Sequence, residues 1–224
     1  VFGLFIYQLK VKKILWEDFR FFGKLKKVYT TRIIKIGLPV ATLNTLFAFV
    51  NMFLGRTAST VGGHIGLMAM TTSGQIEAIT WNTSQGFSTA LSAFVAQNYA
   101  ARKISRVMKA LKSTLYMTLV FGIFCSLLFI FYGNNIFAIF VPEREAYEAG
   151  GLALRIDGYS QLFMMLEIVI QGVFYGMGRT IPPAIISISC NYLRIPMAML
   201  FVSFGWGLPG IWWTICLTSI LKGI

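Results

Sequence analysis

The sequence has few acidic side chains, one histidine and three cysteines, and these shortages exclude several classes of function. Of 224 residues, 8 are Asp or Glu, whereas 20 are Lys or Arg. Zinc sites and disulfide frameworks need closely and regularly spaced ligands, but Cys125, Cys190 and Cys216 lie far apart in apolar segments. His64 is interpreted as a surface or capping residue. No catalytic triad or nucleotide-binding motif is visible, so we expect no enzyme, no metal centre and no cofactor.

Apolar residues are abundant instead. They make up 56% of the chain, and aromatic residues make up 15%, which is more apolar surface than a soluble domain of this length can cover. A membrane-spanning helix needs about 20 mostly apolar residues. The sequence therefore predicts an all-α polytopic membrane protein with spans at about 33–54, 67–96, 113–132, 158–178, 181–204 and 208–224.

The net charge of +12 is concentrated in connections between spans. Nine basic residues lie within 10–35 and five within 102–112, and positive charge marks the cytoplasmic side of short connections. This topology also places Arg179 and Lys222 on the cytoplasmic side. Nucleic acid is therefore not an expected partner, whereas the lipid bilayer is.

The remaining segments complete the predicted organisation. Residues 1–9 resemble the tail of a preceding span, and residues 10–32 form a basic, amphipathic connector of the kind that lies at a membrane interface. On the outer side, residues 55–66 form one connection and residues 133–157, which include Asp157, form another.

Two predicted spans carry polar residues on one helical face. At 100° per residue, Gly74, Glu77, Trp81, Gln85, Ser88 and Ser92 share a narrow arc of the second span, and the opposite side suits lipid. A later span repeats this arrangement with Ser160, Met164, Glu167, Gln171 and Tyr175, and the first span adds Asn44. We expect Gln85, Trp81, Gln171, Met164, Tyr175 and Asn44 to line a cavity whose aromatic and methionine walls suit bulky cations.

Glu77 and Glu167 are the candidate ion-coupling residues. A charged side chain at the bilayer centre costs about 2.5–3.5 kcal/mol, so both should face a cavity or a partner group. A carboxyl group that is alternately buried and solvated can bind and release a proton. The alternative is structural, with each glutamate joining neighbouring helices by hydrogen bonds.

Arg194 lies within a predicted span, just before Pro196, and is interpreted as a structural residue. Its guanidinium should meet a carboxylate or the carbonyl that Pro196 frees one turn earlier; substrate contact is the alternative. Pro39, near the start of the first span, is also assigned a structural role.

Several stretches resemble the multidrug and toxic compound extrusion (MATE) transporters, particularly their DinF-like branch. "IKIGLPVATLN" resembles the start of the family's seventh helix, "GQIEAITWNTSQGFSTALSAFVAQNYAARK" its eighth, and "GLPGIWWTICLTSILKGI" its twelfth. "EIVIQGVFYGMGRTIPPAIISISCNYLRIPMAML" resembles the tenth and eleventh. The resemblance implies a six-helix second lobe of a twelve-helix transporter, preceded by the end of helix six at residues 1–9, with the first lobe missing.

The resemblance also implies a function. Family members export amphipathic organic cations in exchange for H+ or Na+, so we expect a monomeric antiporter of a bacterial cytoplasmic membrane. Relatives with a coupling site in this lobe often carry an acid in helix seven, but residues 33–54 have none, which argues against that type of sodium site.

Three rival functions differ in what they require. A flippase for lipid-linked saccharides should have a strongly cationic central cavity. A membrane-embedded enzyme would need its two carboxylates beside a nucleophile or a metal. A non-transporting scaffold would lose stability, but no flux, when Glu77 or Glu167 is neutralised.

Overall fold

The computed structural model describes residues 27–224 as five α-helices joined by short connections. Residues Ile36–Ile224 form a compact unit, and the site described below lies within it. The predicted helix end at 1–9 and residues 10–26 of the predicted connector lie outside the described residues. The helices are α1 (Lys27–Ala100), α2 (Ile104–Phe140), α3 (Arg144–Gly176), α4 (Ile181–Ser203) and α5 (Gly207–Gly223).

Helix α1 is broken once, at Gly63, into segments 27–62 and 64–100. Gly63 has φ 60° and ψ −144°, a conformation that residues with a Cβ avoid. The chain reverses direction at this break, since a Cβ on Gly66 would lie 2.4 Å from the Ala58 carbonyl oxygen and one on Gly55 would lie 3.8 Å from Leu67 Cδ1. The connection predicted over 55–66 is therefore shorter than expected, because the residues on both sides of Gly63 are helical. Residues 27–32, predicted as connector, are helical too, and so Pro39 lies inside the helix rather than near its start.

Helices α2 and α3 are longer than the predicted spans at 113–132 and 158–178. The acidic segment before the later span forms the first turns of the same helix, because α3 runs without interruption from Arg144. Gly178 ends α3 by adopting φ 72°, and the Arg179 N–H donates to the Phe174 carbonyl at 2.9 Å, a common way to close a helix. Pro182 and Pro183 then open α4, at positions where a missing N–H costs nothing.

By length and composition, three of the described helices could cross a membrane. They are α1 over Tyr29–Ala100, α2 and α4. Helices α3 and α5 are not among them: α3 carries the charged residues Asp157 and Glu167, and α5 is 17 residues long. Both of these acidic residues of α3 belong to the site described below.

The largest buried cluster joins both segments of α1 to α3, α4 and α5. Its members are Val50, Leu54, Ala58, Ala69, Ala153, Ile156, Ala198, Ile211, Trp212 and Cys216. A second cluster contains Ile76 and Leu154, and a third contains Leu91 and Val169. The second segment of α1 therefore packs on α3, and the apolar side that we expected to face lipid is partly buried at Ile76 and Leu91.

Two glycines allow α3 to approach α1 closely. A Cβ on Gly172 would lie 2.6 Å from the Ser88 carbonyl oxygen, and one on Gly176 would lie 2.5 Å from that of Ser92. Small residues permit such contacts between membrane helices. Ser88 and Ser92 therefore lie in the packing contact with α3. The polar arc predicted on this segment has two parts, one that lines the cavity described below and one, at Ser88 and Ser92, that packs on α3.

Replacing Gly172 with Ala should destabilise the protein by about 1–3 kcal/mol, because the added methyl group must displace backbone. The measurement is the thermal unfolding midpoint of the purified protein. Gly86→Ala is the matched control, since a Cβ at Gly86 meets nothing within 4 Å and alanine favours the helix by up to about 1 kcal/mol. Equal midpoints for the two variants would contradict the close approach.

Candidate functional site

A cavity of about 1250 Å³ lies among α1, α3, α4 and α5. Both segments of α1 contribute to its wall, which runs from Val40 to Gln85 on that helix and reaches Lys222 on α5. Among the residues described, α2 supplies none of the lining side chains. The cavity thus includes the three spans on which the sequence predicted polar residues, and α4 and α5 complete its wall.

The residues predicted for the cavity and for ion coupling all line it. They are Asn44, Glu77, Trp81, Gln85, Met164, Glu167, Gln171 and Tyr175. Trp81 is 42% exposed, so much of its indole is accessible to a ligand. The structure brings these residues together from three separate stretches of sequence, while their roles stay predictions.

Glu167 lies at the centre of a hydrogen-bonded network. Its Oε2 is 3.2 Å from Lys222 Nζ, and both side chains are only 9% exposed. Its Oε1 accepts hydrogen bonds from Ser187 Oγ at 2.7 Å and from Gln171 Nε2 at 2.7 Å. Tyr175 Oη donates to Gln171 Oε1 at 3.2 Å. Glu167 therefore has an internal cation and two donors.

The position of Lys222 corrects the sequence prediction. We expected it to lie on the cytoplasmic side with the basic connections and gave it no role in the cavity, but its side chain is buried in the cavity wall, paired with Glu167. Lys222 is three residues after Ser219 and seven after Ile215, both of which line the cavity. Extending the helical period to the end of the last span would have revealed it.

Arg194 is buried and bound mainly by hydroxyl groups. Nε donates to Thr218 Oγ1 and Nη2 to Ser219 Oγ, each at 2.9 Å, and the guanidinium lies 5.8 Å from the ring centre of Phe47. In the described part of the chain no carboxylate is within salt-bridge distance of the guanidinium. The prediction that a carboxylate contacts Arg194 directly is therefore wrong. Pro196 follows inside the same helix.

Asp157 is a cavity residue that the sequence analysis missed. It is only 5% exposed, it lines the cavity, and its Oδ1 has no hydrogen-bond partner among residues 27–224. Asp157, Met164 and Gln171 are seven residues apart and share a face of α3. Asp157 fell in the predicted outer connection because the predicted span began at residue 158, directly after it.

Charges of both signs line the cavity. Within the described residues the carboxylates are Glu77, Asp157 and Glu167, and the buried cations are Arg194 and Lys222; Arg56 is exposed. The buried groups therefore carry one excess negative charge when all are ionised.

Comparison with known proteins places this arrangement in a family. The MatE family model matches residues 38–200. The curated Probable multidrug resistance protein NorM of Thermotoga maritima is 26% identical over 188 residues, which are 80% of this chain and 39% of that protein. The chain thus spans well under two thirds of that relative.

Solved structures share the fold over nearly the whole chain. A crystal structure of MATE in complex with MaL6 matches with a TM-score of 0.87 and 20% identity over 99% of this chain and 51% of that one. A MOP superfamily transporter from Pyrococcus furiosus gives 0.87 and 20%, covering 99% and 50%. An outward-facing multidrug resistance MATE family transporter gives 0.84 and 19%, also covering 99% and 50%. Since the family model covers most of its length, this chain belongs to the MATE family of integral membrane proteins.

Proposed function

We propose that the protein exports amphipathic organic cations, and that an inorganic cation moving the other way drives the export. The observation that carries this proposal is the cavity, which combines drug-sized volume, apolar and aromatic walls and, away from the exposed Arg56, three carboxylates against two cations. The name of the curated relative, a probable multidrug resistance protein, agrees with it.

Competition for the same carboxylates would couple the two movements. A ligand can shift a protein between orientations only if it binds them with different affinity. An organic cation stacked on Trp81 would lie close to Glu77, whose carboxylate makes no hydrogen bond to any described residue. A bound H+ or Na+ would remove the negative charge that attracts this substrate. The inorganic ion and the substrate would then favour different states.

The alternative cargo is a lipid-linked saccharide, whose phosphates need positive charge. Arg56, Arg194 and Lys222 all line the cavity and are the observation in its favour. Lys222, however, is paired with Glu167, and Arg194 is bound to two hydroxyls. The excess charge of the buried groups has the wrong sign for an anion, so we prefer the organic cation.

Ethidium transport in proteoliposomes tests the proposal. We expect an imposed proton or sodium gradient to drive ethidium movement by the wild-type protein, and we expect Glu77→Gln to slow it by about tenfold or more, as the loss of one charged contact would. Lys112→Gln, which removes an exposed charge from α2, is the control. Absence of gradient-driven ethidium flux in the wild type, together with transport of a lipid-linked saccharide, would favour the alternative.

A further inference from the structure

The connection between α1 and α2 carries basic side chains that no acidic residue balances. Arg102 and Lys103 lie in this connection, Arg106 and Lys109 follow in the first turns of α2, and all four side chains are exposed. No Asp or Glu occurs anywhere in residues 78–142. Within the described part of the chain none of the four side chains forms an ion pair. Their positive charge is therefore available to an external anion.

Helix stability alone does not account for these charges. The amino end of a helix carries partial positive charge, so cations in its first turns are unfavourable, and the first turn of α2 has no acidic residue. Arg106 and Lys109 are three residues apart, which makes them neighbours on the helix surface, where like charges repel. An anionic partner bound beside them would relieve both effects.

Arg102 also occupies a backbone position that suits glycine. It has φ 56°, its N–H donates to the Tyr99 carbonyl at 3.0 Å, and the Lys103 N–H donates to the Asn98 carbonyl at 2.8 Å. This is the helix-closing turn that usually has glycine at its left-handed position, as α3 does at Gly178. The sequence keeps a cation where glycine would fit the backbone better, which points to a role for the charge.

The basic residues of α2 continue into exposed apolar residues on the same face of the helix. At 100° per residue, a row of exposed residues shares about 80° of arc. This α2 strip consists of Arg106, Lys109, Ser113, Tyr116, Val120, Phe124 and Leu127. Its four apolar members are between 48% and 70% exposed. Lys112 lies outside this arc, and the buried residues of α2, among them Val107, Gly122 and Phe129, lie on the opposite side.

The two parts of the strip match the two parts of a lipid leaflet. Residues 113–132 carry no charge and, at 1.5 Å per residue, are about 30 Å long, the thickness of the hydrocarbon core of a bilayer. Lys109 and Arg106 lie about 6 and 10 Å beyond this stretch, where long basic side chains reach the level of the lipid phosphates. Among the described residues α2 supplies none of the cavity lining, so the strip is separate from the candidate site.

We propose that Arg106 and Lys109, together with Arg102 and Lys103, bind the phosphate of one anionic phospholipid whose acyl chains lie on the apolar part of the α2 strip. Clusters of basic residues next to a membrane-spanning helix bind anionic lipids, and positive charge marks the cytoplasmic side, so the lipid belongs to the cytoplasmic leaflet. A soluble anion would account for the charges but not for the apolar residues that continue from them. The site does not depend on what the cavity transports.

Native mass spectrometry of the purified protein tests the site. Phosphatidylglycerol and phosphatidylcholine with identical acyl chains are added at equal concentrations to the protein in detergent. We expect one phosphatidylglycerol to bind at least about tenfold more tightly than phosphatidylcholine, equivalent to 1.4 kcal/mol. Glycerol phosphate, which has the charge but no acyl chains, should not displace it at the same concentration.

Variants locate the lipid. Arg106→Gln combined with Lys109→Gln should reduce the preference to about twofold or less, because the phosphate loses two charged donors. The matched control is Arg144→Gln combined with Arg155→Gln, which removes two exposed positive charges from α3 and should leave the preference unchanged. Arg102→Gly removes a charge and relaxes the backbone, so it should weaken phosphatidylglycerol binding without lowering the thermal unfolding midpoint.

Four results would overturn the site. They are equal binding of the two lipids by the wild type, an unchanged preference in the variant that lacks the charges of Arg106 and Lys109, displacement of phosphatidylglycerol by glycerol phosphate, and a doubled protein mass without bound lipid. The third result would assign the cations to a soluble anion, and the fourth would show that a second copy of the chain covers the strip. If the double variant does not fold, Arg102→Gly and Lys103→Gln decide by the same measurement.

Discussion

Lys222→Met is expected to destabilise the protein by about 3–5 kcal/mol, because it leaves the Glu167 carboxylate buried without its cation. Methionine preserves the length of the side chain, so the loss is mainly electrostatic. The measurement is the thermal unfolding midpoint of the purified protein, which should fall by about 10 °C. Lys112→Met, at an exposed position on α2, is the matched control and should change the midpoint little.

A double variant separates the ion pair from simple packing. Glu167→Gln keeps the shape of the side chain, and its amide oxygen can still accept from Ser187 and Gln171. We expect Lys222→Met combined with Glu167→Gln to recover most of the lost stability, since replacing both partners is far less costly than removing one. Strictly additive losses in the double variant would show that the two side chains do not interact.

The ion pair also constrains what Glu167 can do in the proposed export cycle. An organic cation that reaches Glu167 must displace an ammonium group held at 3.2 Å, whereas one that reaches Glu77 displaces no protein group. Lys222 therefore already pairs with the Glu167 carboxylate, whereas the carboxylates of Glu77 and Asp157 have no such partner among the described residues. This division follows from a residue at the end of the last helix, far in sequence from either acid.

Helical periodicity predicted much of the site, because polar side chains on an apolar helix have few places to point. Glu77, Trp81 and Gln85 recur at intervals of four, and Glu167 and Gln171 do the same, so each set had to share a face. The structure places both sets on one cavity. Periodicity does not show which helices pack together, so it could not predict that Glu167 faces Lys222.

The errors came from the ends of segments. Asp157 is charged and was left out of the predicted span that begins at 158, although the helix continues through it, while Lys222, within the predicted span 208–224, was assigned to the cytoplasmic side and not to the cavity. The turn between the first two predicted spans is much shorter than the sequence suggested, because the chain reverses direction at Gly63 while the residues on either side stay helical. Charge near a helix end is therefore ambiguous from sequence, and only the packing of α1 and α5 on α3 shows that Asp157 and Lys222 are buried.

Asp157→Asn is expected to lower ethidium export driven by a proton or sodium gradient by about tenfold or more, while ethidium exchange without a gradient persists. The asparagine keeps the shape of the side chain but removes a buried, unpartnered carboxylate that could attract the driving cation of the proposed function, and Trp81 and Glu77 still line the cavity. Proteoliposomes loaded with unlabelled ethidium measure the exchange, and whichever imposed gradient, proton or sodium, drives export by the wild type measures the driven flux. Glu148→Gln, an exposed acid on the same helix, should leave both rates unchanged. Equal losses of exchange and driven flux would place Asp157 in substrate binding or in structure, because a residue that binds only the driving ion has no part in exchanging one substrate molecule for another.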